Sequence, residues 1–369
     1  MANFVTIKSD IKDEGFVSLK PLEKFDAQYN ILYGGRNNGK TYAVLKKALE
    51  NFGKNKKQLA ILRRNEVDFK GKRARTVFDN VVGHGWVSAY THGEFDFIDF
   101  YNGMWWPARM DDGKIIRCTT PIAYPFSISS GIHDKSSSYP NVTTILFDEF
   151  LTRGEYLTDE FVEFQNVCST IIRNRDDVKI YMCGNVVNMW SPYYDEMGLT
   201  HVRSQKPGDI DVYTYGESGL KVAVYYSDSL PKVLQKSHAY FAFDNPKLKM
   251  ITDGAWEMEE YPHNPCEWNK DDICESFHIL FGEYKLRGDI ISKDEEVFIF
   301  LHYCKYIDEN LTIYTTEYST KPNYRRNLLK PKTKLDSLVC NLLRYDRVFY
   351  SSNMVGEIMR NYLAWCKKA

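Results

Sequence analysis

Apolar positions change their period along the chain, and each change marks an element. Residues 30–33 (NILY) make a short apolar run of strand type; Ala43, Val44, Ala48, Leu49 and Phe52 follow at helical spacing, with Gly53 placed to cap the helix. Residues 141–150 (NVTTILFDEF) read as a buried strand running into Asp148 and Glu149. Over residues 158–173 the period becomes helical again: Phe161, Phe164, Cys168, Ile171 and Ile172 share a face, Thr158 stands at the N-cap, and Asp159 and Glu160 fill the first turn. Residues 179–183 form another strand of buried type, closing on Gly184 and Asn185. Between these segments, alternation about Asn102-Gly103 and again about Asp112-Gly113 predicts a β-meander whose Trp105 and Trp106 belong to the core rather than to a base-stacking surface. Further on, residues 277–281, 297–303 and 311–316 predict three successive strands, and residues 353–366 a closing helix. Strands separated by helices place the chain in the α/β class.

The 369 residues, 43% hydrophobic and 15% aromatic, suffice for more than one core, and domains usually run about 100–200 residues, so two are expected. Lys plus Arg number 48 against 49 Asp plus Glu, a net charge of −1 that excludes a uniformly basic DNA-coating protein and a disordered acidic tail. The sum conceals segregation. Residues 54–75 hold Lys54, Lys56, Lys57, Arg63, Arg64, Lys70, Lys72, Arg73 and Arg75 against only Glu66 and Asp68. Residues 321–347 hold eight bases against Asp336 and Asp346, and residues 253–296 hold thirteen acids against four bases. Basic stretches of this kind are either the footprint of phosphate binding or solvated faces. No stretch has the form of a signal peptide or a membrane span, so a soluble, intracellular protein with no membrane partner is expected. Eight cysteines without a C-x-x-C pair suit reduced thiols. His263, Cys266, Cys274 and His278 are metal-ligand types, yet the apolar run that Cys274 and His278 flank favours ordinary packing over zinc.

The segment GGRNNGKT, residues 34–41, fits G-x-x-x-x-G-K-[ST] in the context that pattern requires, between a strand and a helix. Gly34, Gly35, Arg36, Asn37, Asn38 and Gly39 would wrap nucleotide phosphates with backbone N–H groups, Lys40 would reach the β and γ phosphates, and Thr41 would ligate magnesium. Asp148 would hold the magnesium shell, and Glu149 is placed to polarise a water for in-line attack on the γ phosphate. A protein that only binds nucleotide needs no such second acid. Asn185, at a strand tip beside the acids, can sense the γ phosphate. Arg173 or Arg175 can act as an arginine finger or simply oppose a helix dipole.

Taken together, GGRNNGKT, ILFDEF and IIRNRDDVKIYMCGN followed by SPYY resemble the DNA-packaging, or encapsidation, ATPases of the phi-29-like bacteriophages, small relatives of large terminases. The motif resemblance takes in residues 28–195. It implies an ASCE P-loop NTPase core (RecA/terminase-like) over residues 1–230, a linker over 231–250, and a smaller α+β RNase H-like domain over 251–369 that has lost nuclease cleavage. It further implies ATP and magnesium (Mg2+) as cofactors, double-stranded DNA as the moved partner, and a homo-oligomeric ring, a pentamer, docked on the capsid portal or connector. A packaging RNA is a partner in some members of the family. The implied location is the host cytoplasm, and transiently the portal vertex of the assembling capsid.

By the same resemblance Lys40 and Thr41 match the Walker A ends, Arg36 its extra arginine, Asp148 and Glu149 the Walker B acid and catalytic glutamate, and Asn185 the coupling motif. Arg173 or Arg175 falls at the trans-acting finger, with Arg175 preferred as the loop residue. Lys54, Lys56, Lys57, Lys70, Lys72 and Arg73 become candidate grips on DNA phosphates, and residues 321–347 an RNA or DNA surface. Glu283, Asp289 and Asp308 place no aspartate inside an apolar strand, which argues against a two-metal nuclease. The competing readings are a nuclease-competent terminase or helicase, and a nucleotide-gated assembly protein without turnover.

Overall fold

Runs of β-branched and aromatic residues that are apolar on both faces belong in the middle of a covered sheet, and Tyr29–Gly34, Gln58–Arg63, Val142–Asp148 and Lys179–Asn185 are such runs. The computed structural model describes residues 3–8, 16–130, 138–216, 218–227 and 259–369. It divides the chain into two compact units, Met1–Glu257 and Met258–Ala369. The linker expected over 231–250 lies outside the described residues.

The first unit is built on an 11-stranded sheet. Its strands are β1 (Asn3–Lys8), β2 (Tyr29–Gly34), β3 (Gln58–Arg63), β4 (Phe97–Tyr101), β5 (Met104–Asp111), β6 (Lys114–Arg117), β7 (Ala123–Ser127), β8 (Val142–Asp148), β9 (Lys179–Asn185), β10 (Asp209–Tyr215) and β11 (Leu220–Ser227). Their spatial order is β1-β10-β11-β2-β9-β8-β3-β7-β5-β4, with β6 paired to β5. The stretch from β11 to β7 is parallel throughout, and antiparallel strands extend it on both sides. Helices α1 (Lys20–Glu23), α2 (Lys40–Asn55), α3 (Lys72–Arg75), α4 (Asp79–Gly83), α5 (Trp86–Tyr90), α6 (Glu160–Ile172) and α7 (Pro192–Glu196) fill the connections. Alternate strand residues divide between two cores. Leu32, Leu59, Ile61 and Leu146 pack with Val44, Ala48, Leu49 and Phe52 of α2. Ile31, Tyr33, Ala60, Leu62, Ile145 and Phe147 pack with Phe164, Val167, Cys168 and Ile171 of α6.

The expected elements are present with two shifted ends. Helix α2 runs through Gly53 to Asn55 and closes on Lys56, whose φ of 54° makes it the left-handed residue. Gly53 is glycine for another reason: a Cβ there would fall on the carbonyl oxygen of Tyr90, at the end of α5. Helix α6 starts at Glu160 after Asp159, not Thr158, because the Glu160 carboxylate turns back to accept the Leu157 N–H at 2.7 Å. The meander forms with positive φ at both residues of Asn102-Gly103 and of Asp112-Gly113, the geometry that suits strand twist. Trp105 is fully buried and donates Nε1–H to Ala74 O at 2.8 Å; Trp106 donates to Tyr101 O at 3.0 Å.

The second unit holds β12 (Ile273–Phe281), β13 (Tyr284–Lys293), β14 (Glu296–Tyr303), β15 (Thr312–Thr315), β16 (Tyr324–Arg325) and β17 (Val348–Tyr350), with α8 (Lys334–Arg344) and α9 (Asn353–Lys368). The strands stand in the order β16-β15-β12-β13-β14-β17, an antiparallel meander of β12, β13 and β14 with β15 parallel to β12 and β17 parallel to β14. Strand β13 and the short β16 and β17 are additions to the three expected strands. Lys285, Arg287 and Asp289 make one face of β13 polar and hide it from an apolar-run criterion, and Asp289 therefore does lie inside a strand.

Gly53→Ala is expected to cost about 1–3 kcal/mol of stability by forcing α2 and α5 apart. The check is a lowered denaturant midpoint at unchanged m value; an unaltered midpoint would show that the Tyr90 carbonyl is not the constraint.

Candidate active site

Loops that leave the C-terminal ends of parallel strands stand side by side. Register sets Gly34 of β2 opposite Asn185 of β9, and Cys183 of β9 opposite Asp148 of β8. The glycine-rich loop, the amide and the acids therefore share one row. Lys40, in the first turn of α2, is 6% exposed, and its Nζ donates to Gly35 O (2.6 Å), Asn38 Oδ1 (2.9 Å), Asn185 Oδ1 (3.2 Å) and Gly34 O (3.4 Å). Burial lowers the Lys40 pKa from 10.5 to about 8; nearby Arg36 adds to the fall and Asp148 opposes it. Gly39 adopts φ 88°, with the Phe16 ring where a Cβ would stand. Asn38 Nδ2 donates to Ser227 Oγ at 2.8 Å, and that hydroxyl donates to Tyr33 O at 2.9 Å, so the end of β11 fixes the loop. Arg36 and Asn37 are exposed at the loop's crest.

Thr41 Oγ1 donates to Asp148 Oδ1 at 2.6 Å, and Arg63 Nη2 donates to Asp148 Oδ2, also at 2.6 Å. Arg63 Nη1 stands 3.9 Å from Glu149 Oε2. The Glu149 side chain is 68% exposed, and its backbone takes φ 60°, a conformation that costs about 1–3 kcal/mol in a non-glycine residue. Arg64 holds that turn. It donates to Phe150 O (2.8 Å) and Glu149 O (3.4 Å), and its fork meets both oxygens of Glu160 at 2.8 and 2.9 Å. Glu160 is buried and also accepts the Tyr193 hydroxyl at 2.8 Å. Arg63 and Arg64 count only as members of a basic stretch in the sequence, and Glu160 only as a first-turn acid. The hydrogen bonds that give them roles cross from β3 to β8 and α6.

A cavity of about 420 Å³ opens on Lys40, Thr41, Asp148, Glu149 and Asn185. The fit to magnesium rests on the donor set: a hydroxyl and carboxylates, hard oxygens that hold this ion through one or two protein ligands while phosphates and waters complete the shell. Among the described residues no three His, Cys, Asp or Glu side chains gather as a metal cage. His278 accepts the Asp308 N–H at 3.1 Å and lies 3.3 Å from Leu286 O, whereas His263 faces Tyr350 O at 2.9 Å. Cys266 and Cys274 are exposed.

Arg173 and Arg175 follow the C-terminus of α6 and precede β9, on the sheet edge opposite the row of strand tips. Arg173 is exposed. The Arg175 guanidinium donates to Ile171 O, Tyr139 O and Pro140 O at 2.9–3.2 Å, within its own chain. Lys54, Lys56 and Lys57 stand at the far end of α2, about 20 Å along the helix from Lys40. Lys70, Lys72 and Arg73 lie on the connection from β3 to β4. Four of these six cations have acidic partners: Lys54 with Glu50, Lys57 with Asp177, Lys70 with Glu66 and Arg73 with Asp68. Exposed pairs of this kind are weak and exchange readily.

Strand order, loop and paired acids make the first unit a mixed α/β fold with a large, mostly parallel sheet whose glycine-rich loop and acids share one row of strand tips. The sequence family described as Podovirus DNA encapsidation protein (Gp16) matches residues 16–206, and the chain belongs to that family. It is 27% identical over 178 residues to a DNA packaging protein of Bacillus phage B103, and 26% identical over 182 residues to that of Bacillus phage phi29. These matches take in 47–48% of this chain and 49% of each relative, so the chain spans about half the length of the curated relatives it matches. Two solved structures share the fold. One is the bacteriophage Phi-29 viral genome packaging motor assembly (TM-score 0.55, 18% identity, 96% of this chain and 100% of that one). The other is the Phi-28 gp11 DNA packaging motor (TM-score 0.51, 20% identity, 96% and 97%). Among the described residues no helix is long and apolar enough to cross a membrane.

Because the folded pKa of Lys40 lies below its unfolded value, the unfolded chain binds more protons between about pH 8 and 10.5, and stability should rise with pH across that window. A bound polyphosphate restores the charge, so binding near pH 8.5 should take up a proton, and binding near pH 7 should not. Calorimetry in buffers of different ionisation heat reads this directly. Breaking the Arg64–Glu160 pair from either side, by Arg64→Met or Glu160→Met, is expected to cost about 3–5 kcal/mol, and the double variant to recover much of it. Additive losses in the double variant would mean that the two charges are not coupled.

Proposed function

We propose that this chain is an ATP hydrolase whose turnover drives double-stranded viral DNA into a preformed capsid. The observation that carries the reading is the meeting, at adjacent strand tips, of Lys40, Asn185 and the Asp148–Glu149 pair, with Thr41 already bonded to Asp148. Lys40 exchanges loop carbonyls for β- and γ-phosphate oxygens, and the backbone of residues 34–41 cradles the phosphates, with Arg36 reaching over them from the crest. Thr41 and Asp148 would hold Mg2+, which would supply neutralisation of phosphate charge. Arg63 fixes the Asp148 carboxylate and stands against Glu149. Glu149 is solvent-facing on its strained turn, and it accepts the proton of the attacking water. Asn185 bonds Lys40 and reports the γ-phosphate state to β9.

The finger acts between subunits. The end of α6 cannot reach the strand tips of its own sheet, and a homo-oligomeric ring, taken to be a pentamer at the capsid portal, brings it to a neighbour's site. Arg173 is favoured over Arg175, whose guanidinium already caps carbonyls of its own chain. Lys54, Lys56, Lys57, Lys70, Lys72 and Arg73 grip DNA phosphates by exchanging weak pairs for them. The basic stretch over residues 321–347 is the candidate surface for a packaging RNA. The RNase H-like unit does not cleave: Arg287, Ser276 and His302 all bond Asp289 at 2.6–3.0 Å, so a metal at this carboxylate would have to compete with three donors, one of them a guanidinium. On this reading the ATPase domain is assigned to the first compact unit and the nuclease-like relic to the second; the division of the chain at residues 257–258 is compatible with that assignment.

Lys40→Ala is expected to abolish ATP binding, and Glu149→Gln to retain it while turnover falls about 10²-fold or more. Fluorescent-ATP titration and single-turnover hydrolysis separate the two effects; parental turnover in Glu149→Gln would remove that residue from the mechanism.

A further inference from the structure

The Asn38 amide is buried between two groups of opposite demand. On one side Lys40 Nζ donates to its Oδ1 at 2.9 Å; on the other its Nδ2 donates at 2.8 Å to Ser227 Oγ, 189 residues further along the chain at the end of β11. Ser227 is wholly buried, and its hydroxyl donates to Tyr33 O at 2.9 Å. A serine hydroxyl has one proton and a carbonyl can only accept, so toward Asn38 the Ser227 oxygen can only accept. An ammonium can only donate. One orientation of the Asn38 amide meets both demands, and the flipped amide meets neither. The backbone is fixed as well. Val17 N–H donates to Asn38 O at 2.9 Å, and a Cβ on Gly34 would fall on Ser227 Oγ, so only glycine lets the loop come this close to β11.

We propose that Ser227 is a positioning residue for phosphoryl transfer: it locks the Asn38 amide with its oxygen toward Lys40 and so aims the ammonium at the phosphates; the proposal rests on the ATP reading above. Ser227 stands outside the wall of the cavity and acts through Asn38, which is part of it. Oδ1 anchors one N–H of Lys40 on the loop side and leaves the others to face the phosphates and Asn185. Without the serine acceptor the amide is no longer held from behind. Its NH2 group can then turn to the loop carbonyls, which takes Oδ1 off Lys40 and leaves the ammonium to wander from the line of transfer.

Two measurements test it. In the full chain, isotope-labelled at its asparagines and free of nucleotide, NMR should show the Asn38 NH2 protons exchanging slowly with water, and Ser227→Ala should speed that exchange about tenfold or more. Single-turnover hydrolysis and equilibrium ATP binding then read the consequence. Ser227→Ala should lower turnover about tenfold or more, as loss of one charge-assisted hydrogen bond warrants, while ATP affinity, carried by the loop backbone, falls less. In an Asn38→Ala chain the same serine change should lower turnover by less than about twofold, because the link it acts through is already gone. Equal losses from Ser227→Ala in the parental and Asn38→Ala chains would overturn the proposal, and so would fast exchange of the Asn38 NH2 group in the parental chain. A parental chain that neither binds nor hydrolyses ATP overturns the nucleotide reading and the role of Ser227 with it, a failure that slow Asn38 exchange would separate from failure of the lock itself.

Discussion

A lysine ammonium buried to 6% exposure is tolerable only if its N–H groups find acceptors, and the architecture around Lys40 supplies them. Two come from carbonyls of the glycine-rich loop, one from Asn38 and one from Asn185 on the neighbouring strand. That demand explains why β9 must lie beside β2 and end level with it, and why Ser227 of β11 pins Asn38 from the other side. It also leaves the charge poised. A pKa of about 8 means the lysine is held at a cost that a phosphate relieves, so the same burial that strains the folded unit favours an anion at this point.

A second buried charge organises the turn at Glu149. Arg64 reaches from the end of β3 to the carbonyls of Glu149 and Phe150 and to Glu160 at the start of α6. The left-handed backbone at Glu149 is held by those bonds, and the exposed carboxylate is thereby aimed at solvent beside Asp148. Helix α6 then runs from this clamp to Arg173. One rigid element thus joins the acids at the strand tips to the exposed Arg173 at the opposite edge of the sheet, which is why the proposed finger has to act on another subunit.

Much of this was legible in the chain because it rests on local signals. The phosphate loop, the acid pair and the amide strand announce themselves by glycine spacing, by apolar runs and by what ends them, and the two Asn-Gly and Asp-Gly turns by backbone demand. What stayed hidden depends on pairing between distant segments. Arg63 and Arg64 look like two more positive charges until β3 is placed next to β8. Gly53 looks like a helix cap until the Tyr90 carbonyl is seen against it. Strand β13 is disguised by the polar face that carries Arg287 and Asp289. The preference for Arg175 as a finger followed from loop position alone, and the four backbone carbonyls that its guanidinium meets, those of Tyr139, Pro140, Ile171 and Ile172, could not be foreseen.

The central claim is that ATP turnover at the Lys40–Glu149 site is coupled to movement of duplex DNA. Phosphate release by the intact chain, measured while double-stranded DNA is titrated in at fixed ATP and magnesium, tests it most directly. The account predicts turnover that rises with duplex DNA of any sequence and loses that rise as salt is increased, because the grip is on phosphates. A rate indifferent to DNA, or one that depends on its sequence, would contradict it.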